Sequence, residues 1–388
     1  MGISETIKDD ATPARALKVV IAGGGTGGHL FPGIAIAEAF VKRQGNTEIL
    51  FVTSGKKIEE TVLANTPYAK KRISAEGIKG KSLFAKLSSM MKLPKGLMDS
   101  LKLLVAFKPD VVIGMGAYSA GPVVLGAWML RIPRVICEQN SIPGLTNRML
   151  AGLSRRIYVS FPGTGFNAPA KICFTGNPVR EAILQVIQKD SPVSQDKKQN
   201  HPGFTILVSG GSQGAHRVNM AMLEAMDCLK DPGRYTVVHQ TGVTDADMVR
   251  DGYQQKKIRH EVAPFFEDMA AKYREADLVI CRSGATTVAE LTAAGRPAVF
   301  IPFPFAADNH QVFNAKALVD GGAAEVILEE DLTGELLAER IEYYAGHPDA
   351  LKIAGEKIRQ FSKPDAADKI VDDIYRIIDS GVQTACAG

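Results

Sequence analysis

Two stretches of this chain have the same shape. LKVVIAGGGTGGH (Leu17 to His29) and FTILVSGGSQGAH (Phe204 to His216) each carry an apolar run into a turn made mostly of glycine, and a segment rich in Ala, Met, Ile or Leu follows. An unbroken apolar run of this length is a strand buried on both faces. A glycine turn between such a strand and a helix gathers backbone N–H groups and the positive end of the helix dipole at one point. Occurring once in each half, the pattern predicts two similar α/β domains with parallel sheets. They face each other across a cleft onto which both turns open.

The rest of the chain agrees. Strands are expected at 18–22, 48–53, 111–113, 134–138, 156–159 and 171–175, then at 205–209, 235–240, 258–262, 278–281, 298–301 and 324–328, with helical patterns between them. The polar stretch QKDSPVSQDKKQNHPG separates the two series. The expected organisation is a disordered lead-in over 1–16, domains over 17–180 and 181–362, and a C-terminal helix over 363–388 that packs back on the first domain. A length of 388 residues suits two domains, and a formal charge of +4 falls well short of a nucleic-acid footprint. Five dispersed cysteines without a C-x-x-C argue against a disulfide framework or a zinc site. Residues 111–130 are uncharged for about the length of a membrane span, but four glycines and a proline divide them into strand, turn and helix.

Glycines 23, 25 and 28 satisfy G-x-G-x-x-G, which a nicotinamide-dependent oxidoreductase would share. Such an enzyme also needs an acid at the end of the second strand to hold a ribose. Here EILFVTSGKK ends in Thr53, Ser54 and lysines, against that reading. His29 closes the first turn, before a helix expected to be interrupted at Pro32 and Gly33, and is a candidate base or ligand for a substrate hydroxyl. In the second half, CRSGATTVAEL offers the N–H groups of Ala285, Thr286 and Thr287 to a diphosphate, with Glu290 one turn on for a sugar's vicinal hydroxyls. Asp308, Asn309, His310 and Gln311 follow an apolar loop and suit a sugar. TDADM has the D-x-D spacing of some metal-dependent transferases, but Thr244, Asp245 and Asp247 are read as helix capping.

Taken together, GGGTGGHLFPGIAIA, GMGAYSAGPVVLGA, CEQNSIPGLTNRML, FTGNPVR, SGGSQGAHRVN, HQTG, CRSGATTVAEL and DNHQVFNA resemble the MurG family of N-acetylglucosaminyltransferases, in family order and over nearly the whole chain from Lys18. The resemblance implies the GT-B architecture, two facing Rossmann-like domains with the donor held mainly by the second. The implied reaction is inverting transfer of GlcNAc from UDP-GlcNAc to the 4-hydroxyl of MurNAc in lipid I (undecaprenyl-pyrophosphoryl-MurNAc-pentapeptide), giving lipid II, with no active-site metal or other cofactor. By the resemblance, Thr26, Gly27, Gly28, Asn140 and Arg180 line the cleft near the donor sugar, and Ser212 and Gln213 belong to the second turn. The Phe266 main chain reads the uracil, Ala285, Thr286, Thr287, Val288, Ala289 and Glu290 cover ribose and diphosphate, and Gln311 contacts GlcNAc. His29 and Glu138 are both candidates for the base. Another GT-B lipid glycosyltransferase, a UDP-GlcNAc 2-epimerase and a non-catalytic sugar-nucleotide module are the alternatives.

A lipid-linked acceptor implies a peripheral enzyme at the cytoplasmic face of the inner membrane, with cell-wall or division proteins as further partners. Residues 70–108 carry ten basic and two acidic side chains. On a helix there, Leu83, Phe84, Leu87, Met90 and Met91 would form an apolar face beside Lys81, Lys86 and Lys92, the pattern of an interfacial helix on an anionic leaflet. Pro94 and Gly96 are expected to end it.

Overall fold

The computed structural model describes residues 15–75, 83–189 and 203–385, without the side chains of 83–93, 187–189 and 381–385. The first half alternates β1 (Lys18–Ala22), α1 (Gly27–Arg43), β2 (Glu48–Thr53), α2 (Lys57–Ala64), β3 (Ala69–Arg72), α3 (Leu83–Phe107), β4 (Val111–Gly114), α4 (Ala117–Met129), β5 (Arg134–Glu138), α5 (Leu145–Leu150), β6 (Arg156–Val159) and β7 (Ile172–Phe174); α6 (Glu181–Lys189) follows. The second half runs β8 (Phe204–Ser209), α7 (His216–Cys228), β9 (Tyr235–Gln240), α8 (Ala246–Gln255), β10 (Arg259–Ala263), α9 (Met269–Glu275), β11 (Leu278–Cys281), α10 (Ala285–Ala294), β12 (Ala298–Phe300), α11 (His310–Asp320) and β13 (Glu325–Val326). Three helices end the chain: α12 (Gly334–Gly346), α13 (Pro348–Arg359) and α14 (Ala366–Ala385).

Among the described residues the strands form two parallel sheets, ordered β3-β2-β1-β4-β5-β6-β7 and β10-β9-β8-β11-β12-β13. In each, the strand that feeds the glycine turn lies where the order reverses: β1 between β2 and β4, β8 between β9 and β11. Helices leave opposite faces at such a point, which opens a crevice at the strand's carboxyl end.

Both faces of each sheet are covered, which is why the strands read as unbroken apolar runs. Val19 and Ile21 pack toward α1 and α14, while Val20 and Ala22 pack toward Leu104 of α3 and Val123 and Val124 of α4. In the second sheet Ile206 and Val208 pack with α7 and α12, and Leu207 joins Val288 and Leu291 of α10 on the other face. Helix α14 crosses back to the first half. Its Ile370, Val371, Ile374 and Ile377 enter that core, and Asp373 accepts from Arg156 Nε and the Tyr158 hydroxyl.

Two expectations are corrected, and one strand is added. Helix α1 runs unbroken through Pro32 and Gly33. Helix α3 likewise continues past Pro94 and Gly96 to Phe107, and Gly96 lies against the Ser74 carbonyl, where a Cβ would approach to 2.3 Å. Strand β3, the exposed run AKKR, was not anticipated because it lacks apolar residues. Its register with β2 makes it a strand, and its lysines suit a sheet edge.

Candidate active site

The first glycine turn is occupied from within. Glu59, 1% exposed on α2, accepts from the Gly25 N–H (2.6 Å) and Ser54 hydroxyl (2.7 Å) with Oε1, and from the N–H groups of Gly55 (2.6 Å) and Lys56 (2.8 Å) with Oε2. Gly25 has φ +85, which glycine adopts freely. The Gly25 N–H therefore faces a carboxylate of the protein itself, and a diphosphate there would meet like charge. The expectation that the first turn offers its N–H groups to the cleft is corrected at Gly25. Thr26, Gly27 and Gly28, which follow, border the cleft.

His29 sits one residue beyond, partly buried. Its ring lies against Gly116, where a Cβ would come within 3.1 Å of Cδ2, and Thr26 Oγ1 stands 3.5 Å from Nδ1. Burial lowers its pKa to about 4, opposed by a hydrogen bond with the Gly24 carbonyl and reinforced by the neighbouring His310 and Lys56 side chains. Near neutral pH the ring is uncharged and able to take a proton.

Glu138, 2% exposed at the end of β5, is fully engaged. Oε1 accepts from the Asn140 N–H (3.0 Å) and Nδ2 (3.4 Å); Oε2 accepts from the Gly144 N–H (2.9 Å) and Asn147 Nδ2 (2.9 Å). Burial raises its carboxyl, and the four donors work the other way. It ties the loop between β5 and α5 to the strand end.

Helix α10 in the second half starts at Ala285, beyond Gly284, with no side-chain cap. The first N–H groups of an α-helix lack partners within it. Glu290 lies one turn on, 5% exposed: Oε1 pairs with Arg180 at 2.8 Å and Oε2 accepts from the Tyr273 hydroxyl at 3.1 Å. Arg180 also stacks over Phe31 of α1 at 4.0 Å. A ligand hydroxyl reaches Glu290 only by sharing or displacing these partners. Val288 packs inward, whereas Thr287 and Ala289 are partly exposed. In the second glycine turn Ser212 is half-buried and Gln213 exposed. The Phe266 N–H donates to Gln240 Oε1 (2.9 Å), and Gln311 Oε1 accepts from the Phe303 N–H (2.9 Å).

TDADM starts a helix as read, with Asp245 at the N-cap position of α8 and Asp247 in its first turn, but the Asp245 side chain makes no cap hydrogen bond. Asp245 turns inward to His216 Nδ1 (3.0 Å) and Asn219 Nδ2 (2.8 Å), whereas Asp247 is exposed and pairs with Arg250. The two acids diverge, and among the described residues no group of three His, Cys, Asp or Glu converges as metal ligands would.

The halves touch at the cleft. Pro32 has no N–H for the carbonyl of Gly28, four residues back in α1, and the Thr286 hydroxyl donates to that oxygen from α10 at 3.0 Å. Asn314 of α11, fully buried, accepts from Ser141 N (3.0 Å) and Oγ (3.1 Å) and donates to Asn140 Oδ1 (3.3 Å) and the Ser283 carbonyl (3.2 Å). Arg148 pairs with Asp308 at 3.0 Å. First turn, loop after β5, α10 and α11 thus meet around His29, Asn140 and Thr286.

Glu59, Gln240 and Asn314 were not singled out from sequence. Glu59 reads as an ordinary acid in a helix first turn. Asn314 left one faint signal, standing three residues after Gln311 and so on the same helix face. Of the membrane-contact residues, Lys81 lies outside the described residues. Leu83, Phe84, Lys86, Leu87, Met90, Met91 and Lys92 lie along α3 with their side chains outside them. Nearby, Trp128 (47%), Met129 (51%) and Leu130 at the end of α4, and Met98 and Val105 on α3, are exposed.

Two facing domains of Rossmann order, with an uncapped helix start on one side of the cleft and a histidine on the other, are the GT-B arrangement, and the family matches make it that of a glycosyltransferase. Residues 19–159 match the glycosyltransferase family 28 N-terminal domain and residues 205–370 its C-terminal domain. The UDP-N-acetylglucosamine–N-acetylmuramyl-(pentapeptide) pyrophosphoryl-undecaprenol N-acetylglucosamine transferase of Geobacter sulfurreducens is 44% identical over 92% of this chain and 98% of its own length. Its namesake from Myxococcus xanthus is 42% identical, over 92% of both chains. The crystal structure of Acinetobacter baumannii MurG superposes with a TM-score of 0.70 at 31% identity, covering 93% of this chain and 99% of that one. A UDP-GlcNAc 2-epimerase from Neisseria meningitidis shares the fold, with a TM-score of 0.64 at 14% identity and coverage of 93% and 100%. The chain belongs to the MurG family.

Proposed function

We infer that this protein transfers N-acetylglucosamine from UDP-GlcNAc to the 4-hydroxyl of N-acetylmuramic acid in lipid I, forming lipid II for peptidoglycan, with inversion at the anomeric carbon. The observation that carries this reading is the 44% identity with the Geobacter sulfurreducens transferase, which spans both domains and the cleft between them. The donor lies against the second half. The N–H groups at the start of α10 and the second glycine turn stabilise charge on the departing diphosphate. His29 takes the proton of the attacking hydroxyl. Glu138, with two donors on each oxygen, holds the loop that carries Asn140 rather than acting as the base. The chemistry proceeds without an active-site metal.

The acceptor is reached from an anionic membrane surface at the cytoplasmic face, through α3 and the exposed end of α4. Exposed Lys95, Met98, Lys102 and Val105 on one face of α3, and exposed Trp128 on α4, support this. Among the described residues no helix is long and apolar enough to cross a membrane.

The direct test incubates the purified protein with labelled UDP-GlcNAc and a lipid I analogue in excess chelator. A β-linked disaccharide product is expected at the metal-replete rate. No product with UDP-GlcNAc, or product from UDP-GalNAc alone, would overturn the donor and acceptor assignment. Activity lost in chelator and restored by manganese would overturn the metal-free step.

A further inference from the structure

Glycines have no side chains to fix a turn, and beyond Ser209 Oγ, which accepts the Gly211 N–H (3.3 Å), the second one draws its anchors from outside. They come from the HQTG segment at the end of β9. The Gln240 carbonyl accepts from the Gly210 N–H (3.3 Å), and Gln240 Nε2 donates to the Gly211 carbonyl (3.1 Å) and Ser209 Oγ (3.3 Å). The far side of the same amide accepts the Phe266 N–H at 2.9 Å. Gly214 and Gly242 meet backbone to backbone: a Cβ on Gly214 would stand 2.1 Å from the Thr241 oxygen. Behind them runs a buried chain. Asn219 Nδ2 donates to the Thr241 carbonyl (3.0 Å) and to Asp245, which leaves Asn219 Oδ1 to accept from His239 Nε2 (3.0 Å). His239 Nδ1 then accepts from the Tyr253 hydroxyl (2.8 Å). Every member of this chain but Asp245 is fully buried, and each is satisfied, so the segment is rigid.

We propose that Gln240 is a positioning residue for the donor nucleotide, its single amide fixing the second glycine turn to the Phe266 main chain and so setting the diphosphate and base ends of the site in register. The proposal rests on the donor assignment above. Gln240 is 2% exposed and touches no reacting atom; it acts through the groups it holds. Its two ends are separable. The carbonyl end holds the base-reading loop after β10, and the NH2 end holds the diphosphate turn.

The test uses the full chain and two variants. Gln240→Met keeps the length and removes both ends. Gln240→Glu keeps an acceptor for Phe266 and removes the donor to Gly211. In Gln240→Met, UDP Kd and the KM for UDP-GlcNAc should rise at least about tenfold and kcat should fall, because the loosened turn also faces the departing diphosphate, while the acceptor KM changes by less than about threefold. The preference for UDP over CDP should shrink. In Gln240→Glu the donor should bind weakly while the UDP-to-CDP preference is retained. Folding is checked by near-ultraviolet circular dichroism, and the Glu variant alone decides if the Met variant does not fold. Folded variants with unchanged UDP affinity, or with donor and acceptor KM raised equally, would overturn the proposal. A wild-type chain that fails to bind UDP would instead overturn the donor assignment.

Discussion

At the scale of single residues, His29 and Glu138 part company. Both are polar and near the cleft, but one is a neutral ring with lone-pair capacity and the other a carboxylate with two N–H donors on each oxygen. Replacing His29 with Gln should lower kcat by about 100-fold or more, the range for loss of a positioned base, with UDP affinity within about threefold. The pH profile carries the sign. A protonated ring cannot accept a proton, so kcat/KM falls as pH drops through the His29 pKa, and burial has lowered that value to about 4. The acid limb of wild-type kcat/KM should therefore lie well below pH 6.5, and should be missing from the residual activity of the variant. Unchanged kcat in the variant would remove His29 as the base.

Among the elements, the most telling contact joins α1 to α10. Pro32 leaves the Gly28 carbonyl without its helical partner, and Thr286 supplies one from the other domain. Thr286→Val keeps the side-chain shape and removes the hydroxyl. An unsatisfied buried carbonyl costs about 1–3 kcal/mol, so the variant should favour a more open cleft. Small-angle scattering should show a larger radius of gyration without ligand, and amides at the start of α1 should exchange faster. An identical scattering profile and unchanged exchange would count against the contact as a closing element. The elements themselves were largely legible: β1, β2, β5, β6, β9 and β11 have the bounds expected of them. The misses have physical causes. An exposed edge such as β3 carries no hydrophobic signal, and a helix absorbs a proline when a group from another domain takes up the freed carbonyl. The framework of the candidate site was legible where it is local, as in the start of α10 at Ala285 after Gly284. It was illegible where it depends on distant partners, as with Glu59 filling the first turn or Asn314 bridging the halves.

For the whole molecule, Lys95, Met98, Lys102 and Val105 share one exposed face of α3, and Trp128 and Met129 are exposed at the end of α4, which packs against it. Full-length protein should float with vesicles containing anionic phospholipid, bind neutral vesicles much less, and be released by high salt, because surface charge is screened. Trp128→Ser combined with Met129→Ser should weaken flotation while leaving turnover of a short-chain, detergent-free acceptor unchanged. Equal binding to neutral and anionic vesicles, or flotation untouched by the double substitution, would refute this surface as the membrane contact.

Helix α14 adds a consequence for how the molecule is made. Ile370, Ile374 and Ile377 belong to a core whose other members lie mostly in the first 160 residues. On the ribosome, the first sheet is therefore translated with one flank uncovered, and it stays so until the entire second domain has been produced. Synthesis interrupted anywhere before residue 366 leaves a nascent chain with sticky apolar surface, a natural substrate for chaperones.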